Sequence, residues 1–312
     1  MFLRLADRYN RLDALRDIFK IMRSIIFVFM LIQSFVFGQG KSIAKHIEFD
    51  HLYFVIPDSV FQKVVSDSYF LENFTTGDKG WPKFESINSP EKKEVYFRLE
   101  NSYFELLSDQ NKWKEPLNKI GIGWASNKPN SQEELSELLK SKYQVVEFYE
   151  EKDSLKQKLH TTFYIKPETK SPTNLDLWLQ QFYPLFIENN FGKQTSPFDI
   201  TGKKQRAEKY YSKDKIAKKI TDIGLMLDAS EFANMTKWLQ AIGYESQPNK
   251  RASVFQKGKM TFSLFHSNEN KLWYIQFKNN YPTEKHEIKF SSDSKIEIEK
   301  DKSTWWFFPK DR

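Results

Sequence analysis

With 312 residues, 39% of them hydrophobic and 16% aromatic, the chain can bury a large core and does not have a disordered composition. It contains no cysteine, which excludes disulfides, thiolate zinc sites and cysteine nucleophiles and leaves only histidine and carboxylates as metal ligands. Six basic and three acidic residues before Gly40 account for +3 of the net charge of +7, leaving +4 for the rest. There lysines alternate with glutamates, without the dense basic stripe of a nucleic-acid binder.

The apolar run Ile25 to Gly38 follows Lys20 and Arg23 and ends at Gln39-Gly-Lys-Ser42, the layout of a secretory signal peptide over residues 1–39. At 14 residues it is shorter than the roughly 20 needed to span a membrane. Its Phe-Gly-Gln ending resembles that of bacterial export signals. Met22 would start a signal of ordinary length, placing residues 1–21 upstream of the true start. The folded part is therefore expected to be periplasmic or secreted, with membrane contact only through an uncleaved signal segment.

Ile47 to Ile56 alternates and is rich in aromatic and β-branched residues, the pattern of a strand. Asp58 or Ser59 can cap a helix from Val60 to Phe70. Lys83 to Ile87 reads as a strand, and Glu94 to Leu99 and Ser102 to Leu107 as a hairpin, giving β-α-β-β-β. Ile120 to Ala125 starts a second module. Ser131-Gln-Glu-Glu134 has the capping-box pattern for a helix to Ser141. Strands follow at Tyr143 to Tyr149 and Thr161 to Ile165, then a helix from Leu175 to Ile187 that Pro184 ends or kinks.

The polar, Lys-rich stretch 191–218 reads as a linker between a paired-module domain, 45–190, and a C-terminal module, 219–312. That module has a strand at 219–227, a helix at 230–242 and strands near 251–257, 260–266 and 271–278. A β-hairpin tail, Glu287 to Phe308, closes it. Its opening echoes the first module about 170 residues later. Aligned on hydrophobic alternation, His51 falls opposite Ile223 and Glu105 opposite Ser263. The expected class is α+β, with repeated βαβββ modules forming curled mixed sheets and a C-terminal hairpin.

His51 shares a strand face with Tyr53 and Val55, with Asp50 on the other side. It lines a pocket, or else it is a rim histidine bonded to a carboxylate. Glu105 alternates with Tyr103 and Leu107 between two largely apolar faces. A carboxylate there is costly unless paired, protonated or bound to metal; Arg98 or a lysine is the structural partner. His160 could complete a set of two histidines and one carboxylate, or be a solvent-facing strand-end residue. His46, His266 and His286 read as surface residues. Tyr53, Tyr103 and Trp124 could line an apolar pocket, or simply pack in the core. No phosphate loop, nucleophile elbow or HExxH motif is present.

Asp50-His51-Leu-Tyr-Phe-Val-Ile-Pro-Asp58, Tyr103-Phe-Glu-Leu-Leu107 and Ile120-Gly-Ile-Gly-Trp124 together resemble the vicinal oxygen chelate superfamily of glyoxalase I, extradiol dioxygenases and bleomycin-resistance proteins. Phe49 to Trp124 looks most like a bacterial glyoxalase-like domain of unknown function. The resemblance implies paired modules curled around a cup, each donating one ligand from its first strand and one from its last. Carried over, these are His51 and Glu105 for a divalent metal (Fe, Zn, Mn or Ni), or no cofactor at all, as in the metal-free binders of the superfamily. Glu105 is the implied catalytic base if there is chemistry. The implied partner is a small-molecule ligand, not nucleic acid, and modules can pair within one chain or between chains of a homodimer.

Overall fold

The computed structural model describes residues 43–78, 93–143, 146–165, 174–193 and 202–308. The signal-peptide reading and the strand expected at Lys83 to Ile87 lie outside them. The described chain is α+β, dominated by two eight-stranded sheets.

The first sheet has the order β2-β3-β4-β1-β5-β8-β7-β6. Its strands are β1 (Ile47–Ile56), β2 (Thr76–Asp78), β3 (Glu94–Arg98), β4 (Tyr103–Ser108), β5 (Ile120–Ser126), β6 (Val146–Lys152), β7 (Lys158–Ile165) and β8 (Leu175–Phe182). The second sheet has the matching order β10-β11-β12-β9-β13-β16-β15-β14. Its strands are β9 (Ala217–Leu227), β10 (Glu245–Gln247), β11 (Ser253–Lys257), β12 (Met260–His266), β13 (Lys271–Asn279), β14 (His286–Ser291), β15 (Ser294–Ile298) and β16 (Lys302–Phe307). At the centre of each sheet two long strands pair antiparallel, β1 with β5 and β9 with β13, and β4 and β12 run parallel to the first of each pair. The pairing of halves is thus met within one chain.

Several local expectations change. Leu175–Phe182 is a strand, and helix Pro184–Phe191 begins after it with proline in its first turn, where a missing N–H costs nothing. Hydrogen bonding to β5 and β7 on either side overrides the helical spacing of Leu175, Trp178 and Leu179. Ser131 does not cap helix Gln132–Lys140; its hydroxyl turns to Gln181, Ser126 and the Lys128 carbonyl. Asp58 begins helix Asp58–Ser66 without capping it, and its carboxylate accepts from Lys93 and Ser108. The expected linker contains helix Lys203–Tyr210 and the start of β9. The expected hairpin tail is three strands, which with β13 complete the second sheet.

Alternation explains why the two sheets share one core. Leu52, Phe54 and Ile56 of β1, Phe104 and Leu106 of β4, and Ile120, Ile122 and Trp124 of β5 are buried on one face. Across from them lie Ile223 and Leu225 of β9, Phe262 of β12, Phe277 of β13 and Trp305 of β16. Phe54 meets Phe307 edge-on at 5.0 Å, and Phe104 meets Phe277 at 5.8 Å. Helices Asp58–Ser66 and Ala229–Ala241 add Phe61, Val64, Met235 and Trp238 to the same core. The opposite face of each sheet is left for other work.

Candidate functional site: a histidine between two carboxylates

Strands β1, β4, β5 and β8 lie side by side in the first sheet, and their non-core positions share one face. The register pairs His51 with Tyr103 and Tyr53 with Glu105 across β1 and β4, so His51 and Glu105 come to the same side. Their side chains converge, with His51 Nε2 at 3.9 Å from Glu105 Oε1. The His51 side chain is 8% exposed, and the Glu105 side chain is 18% exposed.

Asp50 is the participant that strict alternation hides. Pairing of β1 with β5 skips from Phe49 to His51, leaving Asp50 as a bulge residue. The bulge turns its carboxylate back beside its neighbour instead of to the opposite face. Asp50 Oδ2 lies 2.8 Å from His51 Nδ1, and Asp50 is fully buried. A carboxylate at this distance holds a proton on Nδ1 and fixes the ring's orientation, leaving Nε2 to face Glu105 and the cup.

Aromatic rings extend the site across the strands. Tyr103 stacks on the imidazole at 4.4 Å, and Tyr96 on Tyr103 at 6.0 Å. The Arg98 guanidinium covers the Tyr103 ring at 4.6 Å. On the other side Trp178 lies 5.2 Å from the imidazole and 5.9 Å from Tyr53. Tyr53 donates to Asp176 Oδ2 at 3.1 Å, and Lys119 pairs with Asp176 at 2.7 Å. Burial, with help from the Asp176 charge, raises the Tyr53 phenol far above its usual range, so it stays a donor. Trp178 and Asp176 escaped sequence reasoning because their segment has helical spacing.

Two glycines make room for these rings. A Cβ at Gly121 would lie 1.9 Å from Tyr53 Cε1, and one at Gly123 would lie 2.6 Å from Trp178 Nε1. Gly121→Ala should therefore cost about 1–3 kcal/mol of stability by overpacking. In a chemical-denaturation double-mutant cycle, Tyr53→Ala should relieve most of that cost. Equal costs with and without the Tyr53 ring would show that the clash is not what matters.

Trp124 is not part of the cup. It is fully buried on the core face, donates to the Tyr244 hydroxyl at 3.3 Å and packs on Trp238 and Phe262. The glycines beside it take the cup positions. His160 is also elsewhere. The row of His51 runs through Gly123 and Trp178 to Tyr164, so His160 is three strands over and four residues along. At about 4.8 Å per strand and 3.3 Å per residue it is of the order of 15–20 Å away. It pairs with Glu151 instead, and burial, partly offset by Glu151, lowers its pKa.

The donor set does not fit a resident metal. Two donors sharing one ion at about 2.1 Å in tetrahedral or cis positions would stand about 3.0–3.4 Å apart, closer than the 3.9 Å here. Asp50 faces the other ring nitrogen. Among the described residues no group of three His, Asp or Glu side chains could hold an ion.

The echo in the second sheet shifts by one residue from the hydrophobic alignment. Gly224 pairs with Ser263 as Tyr53 pairs with Glu105, so Asp222, not Ile223, stands at the His51 position. Ile223 is in the core. Asp222 accepts from the hydroxyls of Ser263 (3.2 Å) and Tyr274 (2.8 Å), while burial raises its pKa. The second cup thus has a carboxylate and hydroxyls, but no imidazole.

Comparison with known proteins settles the family. The model of a family of unknown function, DUF5829, matches residues 49–307. The chain belongs to that family. A search of curated proteins gives no match to this DUF5829 member. Among solved structures it is similar to a hypothetical protein from Staphylococcus aureus, at 13% identity and TM-score 0.48, over 78% of this chain and 95% of the other. It is also similar to an extradiol ring-cleaving dioxygenase from B. fuscum, at 10% identity and TM-score 0.39, over 73% of this chain and 55% of the other. A third is a xylose isomerase-like TIM barrel/4-hydroxyphenylpyruvate dioxygenase fusion protein, at 10% identity and TM-score 0.41, over 71% and 32%. The DUF5829 chain thus spans about half the length of that dioxygenase and a third of the fusion protein. At these scores no residue role is carried over.

Proposed function

We propose that this protein is an exported, glyoxalase-like binding protein that holds a small hydroxylated ligand in the cup of its first sheet. One observation carries the reading: His51 sits in a row of aromatic rings with each ring nitrogen facing a carboxylate, Asp50 at 2.8 Å and Glu105 at 3.9 Å. Tyr103, Trp178 and Tyr53 give the site apolar aromatic walls. Glu105 accepts from a ligand hydroxyl, and Nε2 accepts or donates with the proton it holds. The Asp50 and Glu105 carboxylates beside the imidazole favour hydroxyl donors over an anionic ligand. The strand order supports the glyoxalase-like reading, and the basic-then-apolar N-terminus supports export.

Catechol and a hexose, titrated by calorimetry, test the cup. Binding should weaken by about tenfold or more in His51→Ala and less in Glu105→Gln, the loss expected for a buried hydrogen-bonding partner. Affinity unchanged in both variants would end the reading. Protein purified without chelator should contain far less than one equivalent of divalent metal, as should His51→Ala. A stoichiometric metal lost on His51→Ala and Glu105→Ala would instead establish a metal centre built on these residues.

A further inference from the structure

The lysines that look dispersed along the sequence do not stay dispersed in the fold. Lys45 precedes β1, Lys203 begins helix Lys203–Tyr210, Lys219 is on β9, and Lys257 and Lys259 flank Gly258 in the turn between β11 and β12. All five line one cavity of about 420 Å³ beside the first residues of β1, the start of β9 and the β11–β12 turn. Gly258 has φ +59, the left-handed conformation that a two-residue hairpin turn requires, and this tight turn brings Lys257 and Lys259 to the same opening.

Glu48 is the one acidic residue lining this cavity. It is taken by Lys203, which also donates to the Phe49 carbonyl. Lys257 spends its ammonium on the carbonyls of Ala44, Ile47 and Ile242. Lys45, Lys219 and Lys259 form no ion pair among the described residues. Burial lowers the pKa of Lys219; the nearby Glu100 charge opposes the shift, and Lys259, Lys218 and Lys278 add to it. Three ammonium groups without an ion pair of their own around a concave space repel one another and favour an anion between them.

We infer that this cavity is a binding site for a small polyanion, a phosphorylated or polycarboxylate molecule, held by Lys45, Lys219 and Lys259. Its size suits a small molecule rather than a bare ion. The cluster is compact, not the extended stripe that tracks a nucleic acid. The site is built from β9, β11, β12 and the chain before β1, and does not depend on the cup.

Thermal unfolding with pyrophosphate, and separately with citrate, tests it. At least one should raise the melting temperature saturably, beyond the effect of sodium chloride at equal ionic strength. Half-saturation should move by about tenfold in Lys219→Gln/Lys259→Gln, the scale of losing charge-assisted hydrogen bonds. It should be unchanged in the exposed-surface control Lys300→Gln and in His51→Ala, which separates this site from the cup. Half-saturation in the double variant equal to that of the wild type, or chloride matching both probes, would overturn the inference.

Discussion

Trp305→Ala should lower the free energy of unfolding by about 3–5 kcal/mol, the range for removing a large buried aromatic. Trp305 is fully buried, with ring centroids 5.8 Å from Phe54, 5.6 Å from Phe70 and 5.9 Å from Phe104 of the first half. It is also 5.5 Å from Phe290 and 5.2 Å from Phe307 of the second. Its indole N–H donates to Ser294 Oγ at 3.0 Å, so truncation also strands a hydroxyl. One side chain thus couples the two sheets. Urea titrations followed by fluorescence and by far-ultraviolet circular dichroism should show both probes moving together to lower denaturant. Trp113→Ala, at a site 48% exposed, should change stability by less than about 0.5 kcal/mol. Two separated transitions in the wild type would mean that the sheets are independent units.

The second large effect belongs to Lys257. Its ammonium donates to carbonyls before β1, at the start of β1 and at the end of helix Ala229–Ala241, clipping the first sheet to the second. Lys257→Met leaves these buried acceptors without a donor, and should cost about 2–3 kcal/mol at pH 7. Burial pushes the Lys257 pKa down to about 8, against the pull of Glu48. Its folded value then lies below its unfolded one, so the charged form carries a folding cost that is full below pH 8. That cost fades as pH rises toward about 10.4, the ordinary lysine value. The wild type should therefore gain on the Met variant between pH 7 and pH 10, by about 1–2 kcal/mol once partial exposure is allowed for. Denaturant titrations of both proteins at the two pH values measure this. A gap that stays constant or narrows with pH would show that the carbonyls hold the ammonium at or above its ordinary pKa.

What the sequence discloses and what it hides follow physical lines. β4, β5 and β1 from His51 onward alternate strictly, so their inward and outward residues can be read directly. The meeting of His51 and Glu105 was legible for that reason. Asp50 was not, because a bulge is a one-residue departure from alternation with no residue signature of its own here. The same one-residue sensitivity moved the echo from Ile223 to Asp222. Leu175–Phe182 is apolar enough to suit either a helix or a strand, and its neighbours decided. β13 to β16 follow one another without an intervening helix, so the sequence reads them as a strand and a hairpin tail rather than as a module of their own. The lysine cavity gathers its five lysines from four distant segments and is invisible to any local pattern.

The histidine side chains give the most direct test of the cup. In nitrogen-correlated NMR spectra, His51→Ala identifies the signal of His51 among those of the five histidines. The account expects a proton on Nδ1, held by Asp50, and movement of the His51 signals during titration with catechol or a hexose while those of His160 and His286 stay fixed. A proton on Nε2 with Nδ1 bare, or His51 signals that no hydroxylated ligand moves, would contradict it.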